Sequence, residues 1–222
     1  MTPRALLFDF DGVIADTENH HIAAWQRTFA TMGWEIPEEL CLSAIEVDDR
    51  AFLARLFQTR KIKDGNIEGW VARKQELTLA LLNDSPRIYP GVALLVERAR
   101  ALGNVKLAVV TTTTRANVAA VLKAANLYSA FSLIVAKEDV QAPKPSPEPY
   151  VLAIKSLGIR PGHTLALEDS PTGIESAQAA GVPTIAIGHR RPKGPWSGDA
   201  PFFPDLRQTN EILHLGGMLP KP

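Results

Sequence analysis

The sequence predicts a doubly wound α/β protein whose parallel sheet is interrupted, after its first strand, by a helical insertion. Five short apolar runs, 5–8, 106–110, 132–135, 164–167 and 184–187, are rich in β-branched residues and leucine. They lack polar alternation, as strands do when helices cover both faces of a parallel sheet. Helical patterns follow most of them, over 115–125, 147–157 and 171–180, the last stopped by Gly181. Strands alternating with helices specify the doubly wound class.

The interval after the first strand breaks this rhythm. Between Thr17 and Arg87 only helical periodicities occur. Ile22, Trp25, Phe29 and Met32 share one helix face; Phe52, Leu53, Leu56 and Phe57 share a second; a third helix covers 70–82. That is too long for one crossover helix. The expected division is therefore a core of 1–16 and 87–222, with an all-helical cap domain at 17–86. Ser85-Pro86 and Tyr89-Pro90-Gly91 punctuate the return to the core. An edge strand is expected near 200–203, a surface loop over 191–204, and a frayed tail over 216–222.

Composition excludes several classes. The 222 residues carry 24 Lys plus Arg against 24 Asp plus Glu, a formal net charge of zero. Such a balance supplies no electrostatic footprint for nucleic acid or for an anionic membrane. The single cysteine, Cys41, excludes an intramolecular disulfide and zinc-type spacing, and reads as a small buried residue of a reducing compartment. The start, Met1-Thr2-Pro3-Arg4, leads straight into a strand without a signal-peptide apolar region. A cytoplasmic monomer is the expectation.

In an open sheet of this kind, ligands sit beyond the carboxyl ends of the strands. The first strand ends in Asp9-Phe10-Asp11-Gly12-Val13-Ile14-Ala15-Asp16-Thr17, the second in Thr111-Thr112-Thr113-Thr114, and the fourth in Glu168-Asp169-Ser170. Pro143-Lys144-Pro145 precedes another helix. Carboxylates from two strand ends are hard oxygen donors of the kind Mg2+ prefers. That cation would offset their repulsion and neutralise a phosphate. A threonine hydroxyl, backbone N–H groups at a helix start and Lys144 suit phosphate oxygens.

In these elements and their order, the chain resembles the haloacid dehalogenase-like hydrolase superfamily, in its β-phosphoglucomutase-like branch of phosphatases and mutases with a helical cap. The resemblance covers nearly the whole chain. It implies a Rossmann-like core of strand order 5-4-1-2-3 and an aspartyl-phosphate mechanism. By resemblance Asp9 attacks phosphorus, and Asp11 protonates the leaving oxygen and then activates the acceptor. Asp9, the backbone carbonyl of Asp11, Glu168 and Asp169 would surround Mg2+. Thr111 and Lys144 would hold the phosphoryl group, with Thr112 assisting through its backbone and Gly12 allowing close approach.

The cap follows the family less closely. His21 and Lys74 match mutase positions, whereas a Gly-x-x-Arg phosphate grip is replaced by Glu46-Val47-Asp48-Asp49-Arg50. Arg50 is then either a shifted substrate contact or a solvent-facing charge. Lys74 is either a substrate ligand or part of a charged helix face. Asp16 either shapes the linker or touches substrate, and His20 carries the weaker case beside His21. The expected function is a Mg2+-dependent phosphatase of a small phosphorylated metabolite, with a sugar phosphomutase as the alternative. A receiver-type phosphoacceptor module is the remote alternative; its nucleophile would follow the third strand, not the first.

Overall fold

The computed structural model describes residues 4–44, 47–62, 65–189 and 193–220. In chain order, β1 (Arg4–Phe8) is followed by α1 (Glu18–Ala30), α2 (Glu38–Leu42), α3 (Asp49–Thr59) and α4 (Ile67–Asp84). Next come α5 (Val92–Ala101), β2 (Val105–Val110), α6 (Arg115–Ala124), β3 (Leu133–Val135) and α7 (Glu148–Leu157). The chain continues with β4 (Thr164–Glu168), α8 (Pro171–Ala179), β5 (Thr184–Ile187), β6 (Phe202–Phe203) and α9 (Thr209–Leu215). No helix among the described residues is long and apolar enough to cross a membrane.

Two compact units result, one of Met1–Asp16 with Arg87–Pro222 and one of Thr17–Pro86. The first holds a parallel sheet of order β3-β2-β1-β4-β5-β6. The five expected strands are present in the expected arrangement, and β6 adds an edge strand through Ala186↔Phe202 and Ile187↔Phe203. Leu6 pairs with Leu107 on one side and Leu165 on the other, so β1 is central. Ala5, Leu6, Leu7 and Phe8 are fully buried, which explains their unbroken apolarity. On one face, Ala5, Leu7, Ala108, Val110 and Ala166 pack against Tyr150, Ala153 and Ile154 of α7 and Ala177 of α8. The chain winds outward from β1 in both directions, which makes the carboxyl end of β1 the topological switch point.

The second unit is built on aromatic rings. Trp25 lies 5.1 Å from Phe52, and Phe29 lies 5.0 Å from Trp70, within a core completed by Leu53, Leu56 and Phe57. Such offset and tilted pairs add to the stabilisation given by buried area alone. Met32 departs from expectation and stands 54 % exposed. It lies beyond the last residue of α1, where the helical period no longer applies, in a turn ended by Gly33 at φ 72°. Cys41, on the short α2, is buried, and burial pushes its thiol up to about 11, as for an inert thiol.

The end of the chain also differs from expectation. Met218 is buried, its N–H donates to Leu213 O at 2.8 Å, and Arg4 Nη1 donates to Gly216 O at 3.0 Å. A C-terminal apolar anchor thus holds 216–219, while 221–222 lie outside the described residues. The 191–204 stretch, where it is described, is a largely exposed loop with a few inward anchors. Ser197 and Ala200 are buried, and Trp196 meets Phe202 edge-on at 6.1 Å.

Candidate active site

Asp9 stands one residue beyond the Phe8↔Val109 and Phe8↔Leu167 pairs, and its N–H donates to Leu167 O at 3.0 Å. The strand then breaks into a tight turn. Phe10 O accepts from the N–H groups of Ile14 and Ala15, and Gly12 N–H donates to Ala15 O, each at 2.9 Å. Gly12 adopts φ 86°, a conformation that side-chain-bearing residues avoid. Beyond the turn, Asp16 N–H donates to Arg87 O and its carboxylate accepts from the Tyr89 hydroxyl at 3.3 Å, within the same unit. Asp16 thereby shapes the linker.

The sheet gathers Asp9 from β1 with Glu168 and Asp169 from the end of β4. All three are buried, with one carboxylate oxygen from each within 4.8 Å of the others. Lys144 enters this cluster from the loop before α7. Its ammonium donates to Asp9 Oδ1 at 2.7 Å, Glu168 Oε1 at 2.6 Å and Val110 O at 2.9 Å. Those three bonds use every N–H of the group.

Several contacts fix the loop that carries Lys144. Glu148 accepts from the N–H groups of Gln141 and Ala142 at 2.9 and 2.8 Å, which holds its carboxyl below the usual range. Ser176 of α8 donates to Ser146 O at 2.5 Å, and the Lys144-Pro145 peptide is cis.

Crowded buried carboxylates disfavour their own ionisation. Burial pushes Glu168 up to about 8 despite Lys144, and Asp9 adds to the rise. Asp9 is raised for the same reason, with Asp11 adding to it. Burial alone would lower the Lys144 ammonium, but the Asp9 and Glu168 carboxylates outweigh it and hold Lys144 above its ordinary value. Asp9 and Glu168 therefore share the Lys144 ammonium. Glu168 Oε2 is in addition buried with no hydrogen-bond partner among the described residues. An all-oxygen, acid-rich cluster of this kind fits a divalent metal ion, which would complete both the charge and the coordination of these oxygens.

Thr111 is buried at the end of β2, next to Val110, and its Oγ1 accepts from Thr113 N–H at 3.1 Å. Thr114 caps α6 by accepting from Asn117 N–H at 3.4 Å, and Thr112 is exposed. Gly173 marks a close approach. A Cβ there would stand 1.8 Å from Glu168 Oε2, so any side chain at this position would push that carboxylate from its place.

The remaining expected residues belong to the other unit. Lys74 is buried, with its ammonium 3.1 Å from both Asp49 oxygens, 3.0 Å from His21 Nδ1 and 5.4 Å from the centre of the Trp25 ring. It is not part of a solvated charged face. Arg50 is exposed and paired in bidentate fashion with Glu68 at 2.7 and 2.8 Å. His20 donates through Nε2–H to Ser85 O at 2.9 Å. Glu46 lies outside the described residues.

Two residues escaped the sequence reading. Tyr150 has the helical spacing of a core residue with Ala153, Ile154 and Leu157, and nothing local signals its hydroxyl's partner. Asp49 was visible as an acid beside Arg50, but its true counter-ion, Lys74, lies on a distant helix.

A central strand that ends in a buried carboxylate, flanked by an acidic pair and a lysine, defines a class of α/β hydrolases acting beyond a topological switch point. The match to the model of haloacid dehalogenase-like hydrolases extends over residues 6–187. Protein CbbY of Rhodobacter capsulatus is 35 % identical over 202 residues, covering 83 % of this chain and 85 % of that protein. The phosphorylated carbohydrates phosphatase of Thermotoga maritima is 30 % identical over 181 residues, covering 82 % and 83 %. The crystal structure of a CbbY variant from Rhodobacter sphaeroides, in complex with xylulose-(1,5)bisphosphate, superposes with a TM-score of 0.79 at 30 % identity, covering 93 % and 96 %. The chain belongs to the haloacid dehalogenase-like hydrolase family.

Proposed function

We propose that this protein is a Mg2+-dependent phosphatase of small phosphorylated metabolites, sugar phosphates first among them, acting through an aspartyl-phosphate on Asp9. The observation that carries the reading is the buried Asp9–Glu168–Asp169 cluster pinned by Lys144. The phosphorylated carbohydrates phosphatase of Thermotoga maritima and the xylulose-(1,5)bisphosphate complex support the substrate class.

Asp9, Glu168, Asp169 and the Asp11 carbonyl are the residues that would hold Mg2+. The bound ion supplies positive charge against the carboxylates and the phosphoryl oxygens. An Asp9 oxygen attacks phosphorus and forms the P–O bond to the carboxylate while the bond to the metabolite oxygen breaks. Asp11 gives its proton to that departing oxygen, releasing an alcohol. Asp11, now ionised, takes a proton from water, and the resulting P–O bond displaces Asp9 and yields phosphate. Lys144 steers the Asp9 carboxylate and offers charge to the phosphoryl group, which must replace one of its present acceptors. Thr111, the backbone at Thr112 and Gly12 line the phosphate side. In this reading the 17–86 unit is the cap that selects substrate, with Lys74 and His21 as its candidate polar contacts. The engagement of Arg50 by Glu68 removes the free arginine that a distal-phosphate grip needs, which supports hydrolysis over mutase chemistry.

The test is phosphate release from a panel of sugar phosphates, with and without Mg2+, beside a hexose 1-phosphate to 6-phosphate conversion assay. Asp9→Asn should lose on the order of 10⁴-fold or more in turnover, the scale seen when a covalent nucleophile is removed. Turnover by Asp9→Asn within tenfold of the parent, or full activity in excess chelator, overturns the reading. Isomer conversion without phosphate release replaces it with the mutase.

A further inference from the structure

Lys144 and Glu168 share a third partner that the reaction does not use. Tyr150, on α7, is fully buried, and its hydroxyl donates to Glu168 Oε1. The same oxygen accepts from the Lys144 ammonium at 2.6 Å, and that ammonium stands 5.4 Å from the centre of the Tyr150 ring. A phenol, a carboxylate and an ammonium thus form a closed triangle beneath the acidic cluster. Burial and the nearby Glu168 and Asp9 carboxylates hold the phenol well above its ordinary value, so it remains an O–H donor.

The two donors to Glu168 Oε1 differ in one respect. Lys144 has no spare N–H, since Asp9, Glu168 and Val110 take all of them. Any phosphoryl oxygen that Lys144 binds must displace one of those acceptors. Tyr150 has a single O–H, aimed at Glu168 from a helix packed into the core. It can keep that bond while the ammonium changes partners.

We propose that Tyr150 is a positioning residue, which anchors the Glu168 carboxylate at its place in the metal cluster and so frees Lys144 to turn to the phosphoryl group. The inference rests on the metal-dependent reading of the site. Groups that hydrogen-bond a ligating carboxylate typically set metal affinity by about 10–100-fold.

The experiment is a Mg2+ titration of the substrate-free protein by calorimetry, repeated for Tyr150→Phe and Asp169→Asn. Tyr150→Phe keeps the ring, its packing and its face toward Lys144, and removes only the O–H. It should weaken Mg2+ binding about tenfold and lower kcat with little change in KM. Affinity within twofold of the parent, beside a clear loss in Asp169→Asn, overturns the role of Tyr150 and leaves the metal site standing. Equal binding by the parent and Asp169→Asn, or none by either, overturns both.

A measurement on the unaltered protein guards against a variant that fails to fold. Of the three tyrosines, the Cζ resonance of Tyr150 alone should move on adding Mg2+, in protein labelled at that carbon. Tyr89→Phe and Tyr128→Phe identify the other two signals. A Tyr150 signal indifferent to saturating Mg2+ overturns the proposal.

Discussion

Replacing Gly173 by alanine should destabilise the protein, against the ordinary sign of that substitution. Gly173 lies in the first turn of α8 without a positive φ, where Gly→Ala commonly gains about 0.4–1 kcal/mol by restricting the unfolded chain. Here the new Cβ would fall 1.8 Å from Glu168 Oε2, 2.2 Å from Cδ and 2.6 Å from Oε1. The carboxylate would have to retreat by more than an ångström to reach ordinary contact. It cannot do so freely, because Lys144 and Tyr150 hold its other oxygen. Hydrogen bonds to charged groups contribute about 1.5–3 kcal/mol each, so losing one outweighs the entropic gain by about 1–2 kcal/mol. For a chain of this size that lowers Tm by about 2–8 °C. The displaced carboxylate should also cost on the order of 10²-fold in turnover, as a misplacement of about 1 Å does. Thermal melts followed by circular dichroism and a phosphate-release assay read the two effects. A variant that melts at or above the parent temperature with unchanged Mg2+ affinity would show that Glu168 has room to move, and would refute the reasoning.

Two further outcomes follow from buried charges. His189 stacks on Tyr89 at 4.1 Å, and burial lowers it to about 4, opposed by Asp205 and Asp16 and assisted by Arg207. The unfolded chain then binds the extra proton between pH 6.5 and 4, so this stability is present above pH 6.5 and is lost as pH falls through that window. The full shift corresponds to about 3 kcal/mol. Solvent screening of the partly exposed ring reduces it to about 1–2 kcal/mol. His189→Phe, which keeps the stack, should flatten the fall in Tm between pH 7 and 4.5, and an unchanged slope would discard the assignment. In the helical unit, Asp49→Ala strands the Lys74 ammonium, whose side chain is only 7 % exposed, and should cost about 3 kcal/mol. Denaturant unfolding followed by tryptophan fluorescence detects this, since Trp25, Trp34 and Trp70 all lie in that unit; an unmoved midpoint counts against the buried pair.

The sheet was legible in the sequence because burial on both faces leaves a chemical trace: 5–8 and 184–187 are apolar at every position but Thr184, and they are strands. The strand-end acids and Lys144 were legible because motif order and an open parallel sheet together specify where they meet. Other features leave no local trace. Tyr150 looks like a core residue until the fold sets its hydroxyl against Glu168, eighteen positions away. Gly173 reads as a helix-start glycine until the Glu168 carboxylate is seen to occupy the space of its Cβ. Lys74 reads equally as a substrate ligand and as one charge on a polar helix face, because its partners Asp49 and His21 come from two other helices. Met32 shows the converse error, a periodicity carried past the residue where the helix ends.

The charges of the two buried clusters separate what the fold completes from what it leaves open. In the helical unit, Lys74 meets Asp49 through both carboxylate oxygens, so the pair is neutral and its geometry is closed by the protein alone. At the end of β1 the cluster stays open. Asp9 and Glu168 share Lys144, burial raises both against that cation, and Glu168 Oε2 has no hydrogen-bond partner among the described residues. A fold selected only for stability would replace such a cluster with apolar side chains of similar volume, since buried ions recover their desolvation cost poorly. Retaining it beside a glycine whose Cβ would collide with Glu168, and with a Glu168 oxygen left without a partner among the described residues, makes sense when that partner arrives with the reaction's own components. The open carboxylate cluster at the switch point is therefore the part of the structure that states the chemistry.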